Sequence, residues 1–85
     1  MLEKEVVISI EPGLQARPAA QFVQKANSYS SEIFIEKDSK RINAKSIMGL
    51  MSLALSKGNQ IKIIVDGSDD QEALKELVEF VEGKK

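Results

Sequence analysis

Apolar residues in this chain recur with a period of two, then of about 3.6, then of two again, and that switching admits few folds. Leu2 to Ile10 alternates, with Val6, Ile8 and Ile10 on one face and Glu5, Val7 and Ser9 on the other, which predicts a strand. Glu11-Pro12-Gly13 ends it, because proline cannot donate to a sheet ladder and Pro-Gly marks a turn. Ala19, Phe22, Val23 and Ala26 then take the i, i+3, i+4, i+7 spacing of a helix with one buried face. Pro18 suits the first turn of that helix, where an N–H would have no partner. Polar turn formers from Asn27 to Ser31 stop it.

Glu32 to Lys37 predicts a second strand, with Ile33 and Ile35 opposed to Phe34. Asp38-Ser39 supplies a turn, and Lys40 to Ala44 returns as a third strand through Ile42. Ile47 to Leu55 predicts a second helix closed by Gly58-Asn59. Gln60 to Asp66 is the fourth strand, where Ile61, Ile63 and Val65 alternate with Lys62 and Asp66, and Ile64 breaks the polar side. Ser68 with Gln71 three residues on reads as a capping box opening a last helix. Asp69, Asp70 and Glu72 fall in its first turn and Lys84-Lys85 after its end, as the helix dipole favours. Its stripe is Leu74, Leu77, Val78 and Val81.

The order βαββαβα predicts an α+β fold, a two-layer open-faced sandwich. A four-stranded antiparallel sheet carries three helices on one face and leaves the other to solvent. At 85 residues, 1–85 is expected to be a single domain, burying about 60–65% of the surface its unfolded form exposes.

What the chain lacks narrows its chemistry. It has no cysteine, which excludes disulfides, thiolate metal sites and thiol catalysis. It has no histidine, which excludes a Ser-His-Asp relay, imidazole-bound metal and phosphohistidine. No carboxylate pair stands out, so no enzyme, cofactor or metal site is expected. Twelve basic residues against thirteen acidic give a net charge of −1, without the footprint of a nucleic-acid or anionic-membrane binder. No apolar run approaches the ~20 residues of a membrane span and no signal-peptide pattern opens the chain, so a cytoplasmic location is expected.

The segment Ile47 to Leu55 is apolar nearly all round, broken only by Gly49 and Ser52. As a helix it places Leu50, Leu53 and Ala54 on one side, Met48, Met51 and Leu55 on the other, and Ile47 near the border. A domain this small has one core and can bury one side. The other is expected to be a docking face. Ser46 stands just before it, at an N-cap position.

Two motifs, Gly13-Leu14-Gln15-Ala16-Arg17-Pro18-Ala19-Ala20 and Lys45-Ser46-Ile47-Met48-Gly49-Leu50-Met51, resemble those of the HPr family, small phosphocarriers of the bacterial sugar phosphotransferase system. The resemblance spans the whole chain, including the βαββαβα order. In carrier members a histidine stands where this chain has Gln15 and accepts phosphate by way of Enzyme I. Glutamine there resembles the Crh branch, the catabolite-repression HPr paralogues. Pro12 is a departure, since many members have a small hydroxylated residue there.

The resemblance implies a regulator in carbon catabolite repression. HPr kinase/phosphorylase would phosphorylate Ser46, and the phosphoprotein would act as corepressor of a LacI-type catabolite control repressor. Partner contacts are implied at Gln15, Arg17, Ala20, Gln21, Gln24, Ile47, Met48 and Met51, with no direct nucleic-acid or membrane binding. An amide nitrogen is no nucleophile, so Gln15 cannot carry phosphate; more plainly, it could only hydrogen-bond near the helix start. Arg17 beside a helix N-terminus suits a phosphate or carboxylate partner, or is a solvated surface residue. Ser46 follows Lys45, with Lys40 and Arg41 upstream, whereas Ser68 is hemmed in by acids that would repel a phosphate. The alternatives are a phosphocarrier still serving sugar uptake, and a scaffold that binds a metabolic enzyme without serine control. A proline-containing hinge after the first strand would also permit a homodimer by first-strand swapping.

Overall fold

The computed structural model describes residues 1–11 and 13–83. Pro12, to which the hinge expectation was tied, and Lys84-Lys85, expected to trail the last helix, lie outside the described residues. The element order is β1 (Leu2–Val7), α1 (Ala16–Asn27), β2 (Glu32–Lys37), β3 (Lys40–Asn43), α2 (Ile47–Ser52), β4 (Gln60–Asp66) and α3 (Asp70–Val81). The strands form one sheet in the order β1-β4-β2-β3, with every neighbouring pair antiparallel. This is the expected βαββαβα open-faced sandwich.

Period-two alternation fixes the two faces of the sheet. Val6, Ile33, Ile35, Ile61, Ile63 and Val65 are buried on the helix side. They meet Ala19, Phe22 and Ala26 of α1, Leu50 of α2, and Ala73, Leu77, Val78 and Val81 of α3. On the other face, Glu5 pairs with Lys62, Lys62 with Glu36 and Glu36 with Arg41, a cross-strand row of alternating sign. Opposite charges side by side make a solvated face. One residue departs from that pattern: Ile64 points to this face yet is only 1% exposed. Its strand partners Phe34 and Glu3 flank it, and the Arg41 guanidinium in turn lies over the Phe34 ring.

Four boundaries differ from the sequence reading. β1 ends at Val7 rather than Ile10, although the alternation continues through buried Ile8, because Ser9 N–H donates to the Val81 carbonyl of α3. β3 ends at Asn43 rather than Ala44, whose N–H crosses to the Ile33 carbonyl. α2 ends at Ser52 rather than Leu55. Beyond it Ala54 takes φ +50° and breaks the helix, so burial returns to period two. Leu53 and Leu55 are therefore buried and Ala54 exposed, where helical winding put Leu53 with Ala54 on the core side and Leu55 with Met48 and Met51 on the docking side. Finally, Ser68 does not cap α3. Asp69 is the N-cap residue, and its carboxylate accepts instead from the N–H and hydroxyl groups of Ser30 and Ser31. Four donors outweigh one helix N–H. The Ser31 bond, followed by that of the Ser30 N–H, holds the Asp69 carboxyl down at about 2.

Candidate functional site

The two helices carrying the motifs pack against each other, and the side-chain amides of Gln15 and Asn27 fix their sense. At the start of α1, Gln15 Nε2 donates to the Leu55 carbonyl at 3.3 Å and to Ser56 Oγ at 3.1 Å, just past the end of α2. At the end of α1, Asn27 Nδ2 lies 3.4 Å from the Lys45 carbonyl, just before α2 begins. The helices therefore run antiparallel. Winding at about 100° per residue puts Asn27 on the flank of α1 that also carries Ala20 and Gln24. Lys25, on the opposite flank, reaches Glu76 of α3 at 3.6 Å. Arg17, Ala20, Gln21 and Gln24 form one exposed stripe. Ala20 and Gln24 thus border α2, Arg17 lies along the middle of the stripe, and Gln21 turns toward α3.

Beside this stripe α2 turns outward the side chains that the core does not take. Leu50 is fully buried, whereas Met48 is 81% exposed, Met51 53% and Ile47 37%. Three exposed large apolar residues within five positions form a patch, and unbranched, polarizable methionine suits adaptable contact. Ser46 caps the helix, its Oγ accepting the Gly49 N–H at 3.2 Å, and the residue is exposed. The hydroxyl is thus held at a helix start, beside the patch and open to solvent.

The cations near Ser46 are directed elsewhere. Lys45 Nζ donates to the Tyr29 carbonyl at 2.8 Å, and Arg41 pairs with Glu36 at 3.3 Å. Lys40 lies opposite Lys37 in the β2–β3 hairpin. Arg17 is exposed, and among the described residues it has no hydrogen-bond or ion-pair partner. A guanidinium in that state keeps its five donors for an incoming anion. Tyr29, which anchors Lys45, donates its hydroxyl to Glu76 at 2.6 Å; that bond, with burial second, pushes its pKa up to about 12. No group of acidic residues able to hold a metal ion occurs among the described residues.

Gln15 is the N-cap residue of α1 but makes no capping bond, its amide being committed to the chain beyond α2. Sequence reasoning expected a bond near the helix start and missed this longer reach. It also missed the left-handed backbone at Ala16, φ +52°, directly after Gln15. An alanine carries no signal for such a conformation.

The sequence profile of a family described as "PTS HPr component phosphorylation site" matches residues 2–83. The HPr-like protein Crh of Halalkalibacterium halodurans is 60% identical over 82 residues, 96% of this chain and 98% of that protein. A crystal structure of a phosphocarrier protein HPr from Bacillus anthracis superposes with a TM-score of 0.93 at 56% identity, covering 94% of this chain and 95% of that one. A crystal structure of Crh from Bacillus subtilis, described as a dimer with a swapping domain, gives 0.79 at 52% identity, over 99% and 97% of the two chains.

Proposed function

The chain belongs to the HPr family, and on that premise we propose that it is a Crh-like regulator that signals through a phosphoserine and carries no phosphate to sugar. Its Crh-named relative and the HPr structures support a family role, regulatory or phosphocarrier. Gln15 at the histidine position favours the regulatory one: no side chain in the protein is an imidazole. The observation that carries the reading is the pairing of an exposed Ser46 hydroxyl with exposed Ile47, Met48 and Met51 on the same short helix.

HPr kinase/phosphorylase would place the phosphate on Ser46 Oγ. That adds about −1.5 to −2 charge at the favourable end of the helix dipole. The fold keeps its cap, since a phosphate oxygen can accept the Gly49 N–H in place of the hydroxyl. The phosphoprotein would then dock on a LacI-type catabolite control repressor. Phosphate and Arg17 would supply charge-assisted bonds, while Met48, Met51 and Ile47 supply apolar area beside Ala20, Gln21 and Gln24. With its charge made more negative, the protein would act on DNA only through the repressor.

The site would operate in a single cytoplasmic domain; no helix among the described residues is long and apolar enough to cross a membrane. A homodimer by exchange of β1 is part of the same proposal, by analogy with the swapped Crh. Among the described residues β1 has a strand neighbour on one side only, β4. Adding a second β1 to its open edge in register would appose Glu5 with Glu5, or Lys4 with Lys4 and Glu3 with Glu5. Exchange avoids that repulsion, because each β1 would find the same β4 partners in the other chain.

The test is incubation with HPr kinase/phosphorylase and labelled ATP. One label on the wild type and none on Ser46→Ala is expected; a label that survives the substitution refutes the assignment. Enzyme I with labelled phosphoenolpyruvate should leave the protein unlabelled.

A further inference from the structure

The amide at position 15 ties the two helices of the docking face together. The Leu55 carbonyl accepts the Leu14 N–H at 3.0 Å and Gln15 Nε2 at 3.3 Å, so the entry of α1 fills both of its lone pairs. The second hydrogen on Gln15 Nε2 serves Ser56 Oγ at 3.1 Å. One nitrogen with two hydrogens is needed for both bonds. An imidazole nitrogen carries one hydrogen and could make only one of them.

The segment held in this way needs holding. α2 has six residues, too short to be stable alone. Ala54, two residues past its end, sits at φ +50°, which persists only where the surroundings impose it. From the sheet side, Lys37 Nζ reaches the Leu53 carbonyl at 3.4 Å and Asn59 Oδ1 at 3.3 Å, and Asn59 Oδ1 accepts the Ser56 N–H at 2.8 Å. From the α1 side, Gln15 completes the clamp. Met48 and Met51 stand on the helix whose exit is clamped.

We propose that Gln15 is a positioning residue for partner binding: through the Leu55 carbonyl and the Ser56 hydroxyl it fixes α2 against α1 and preorganises Met48 and Met51. This rests on the docking function proposed above. Removing the amide loosens the exit of α2, and the affinity lost is the cost of ordering that segment on binding.

Gln15→Ala, Ser56→Ala and the double variant, each phosphorylated at Ser46, test this by two readouts: amide hydrogen exchange, and affinity for the LacI-type repressor. Gln15→Ala should speed exchange of the Leu53 and Ala54 amides about five- to tenfold, leaving β4 unchanged, and should weaken repressor binding by a similar factor. Ser56→Ala should shift both in the same direction but less, and the double variant should add little to Gln15→Ala. Weakened binding with unchanged exchange overturns the proposal, because Gln15 would then be a direct contact. Faster exchange with unchanged binding overturns it too. If the phosphorylated wild type does not bind the repressor, the functional reading falls and the positioning role with it.

Discussion

Replacing Met48 by alanine should separate what this residue does for the fold from what it does for a partner. Full burial of a methionine side chain is worth about 1.5–3 kcal/mol. With 81% of its surface exposed, Met48 realises about one fifth of that in the free protein. Met48→Ala should therefore cost about 0.3–0.6 kcal/mol of stability. The remainder, about 1.2–2.4 kcal/mol, is available only when a partner covers the side chain. That corresponds to a loss of roughly eight- to sixtyfold in affinity, most of it in the dissociation rate. Leu50→Ala, on the buried side of the same helix, should show the opposite balance, costing about 2–5 kcal/mol of stability. Urea denaturation and surface-plasmon binding of the Ser46-phosphorylated chain to the repressor measure the two quantities. If Met48→Ala destabilises the free protein by more than about 1.5 kcal/mol and leaves affinity intact, Met48 is a core residue and the reasoning fails.

Ser46→Ala should cost about 1 kcal/mol through loss of the cap, whereas Ser46→Asp, whose carboxylate can accept the Gly49 N–H, should restore most of it; thermal denaturation of the three proteins decides. Asp38 and Ser39 both have positive φ, 51° and 68°, the signature of a type I′ hairpin turn. Ser39→Gly should therefore stabilise by about 0.5–1 kcal/mol, and a loss of stability would show the turn to be of another type. Asp69 has its pKa lowered from 3.8 to about 2 in the fold, so its contribution is present above pH 4 and is lost as pH falls toward 2. Thermal midpoints should fall across that window in the wild type and change less in Asp69→Asn. Tyr29 is raised from 10 to about 12, so its contribution is complete below pH 10 and lost as pH rises through 12. Ultraviolet titration should show Tyr29 ionising late, and earlier in Glu76→Gln.

Much of the fold was legible because each element carries its own period. Ile33/Ile35 and Ile61/Ile63/Val65 could only be strand faces, and Phe22 with Ala26 only a helix face. The exposed flank of α2 followed from one argument, that a small core takes one side of a helix and Met48 and Met51 were left over. Where the reading failed, a tertiary bond had displaced a local one. Ser68 with Gln71 has the form of a capping box, but the donors of Ser30 and Ser31 pull Asp69 into place and shift the helix start by one residue. Leu53 to Leu55 follow the helical spacing, yet Ala54 leaves the helix because the segment is drawn to Leu14, Gln15 and Lys37. Contacts forty residues apart leave no trace in a local pattern, and Ala16 and Ala54 have no side chain that announces a left-handed backbone. The open face was read as polar with Ile64 the exception, and what no local pattern shows is that Ile64 is buried there between its strand partners Phe34 and Glu3.

The most direct test of the regulatory reading is the affinity of the LacI-type repressor for this protein with and without a phosphate on Ser46, in one buffer at physiological salt. The account predicts tight binding of the phosphorylated form and at least a tenfold weaker complex with the unmodified one, the difference expected from one to two charge-assisted bonds of about 1.5–3 kcal/mol each. Equal affinity of the two forms would contradict it.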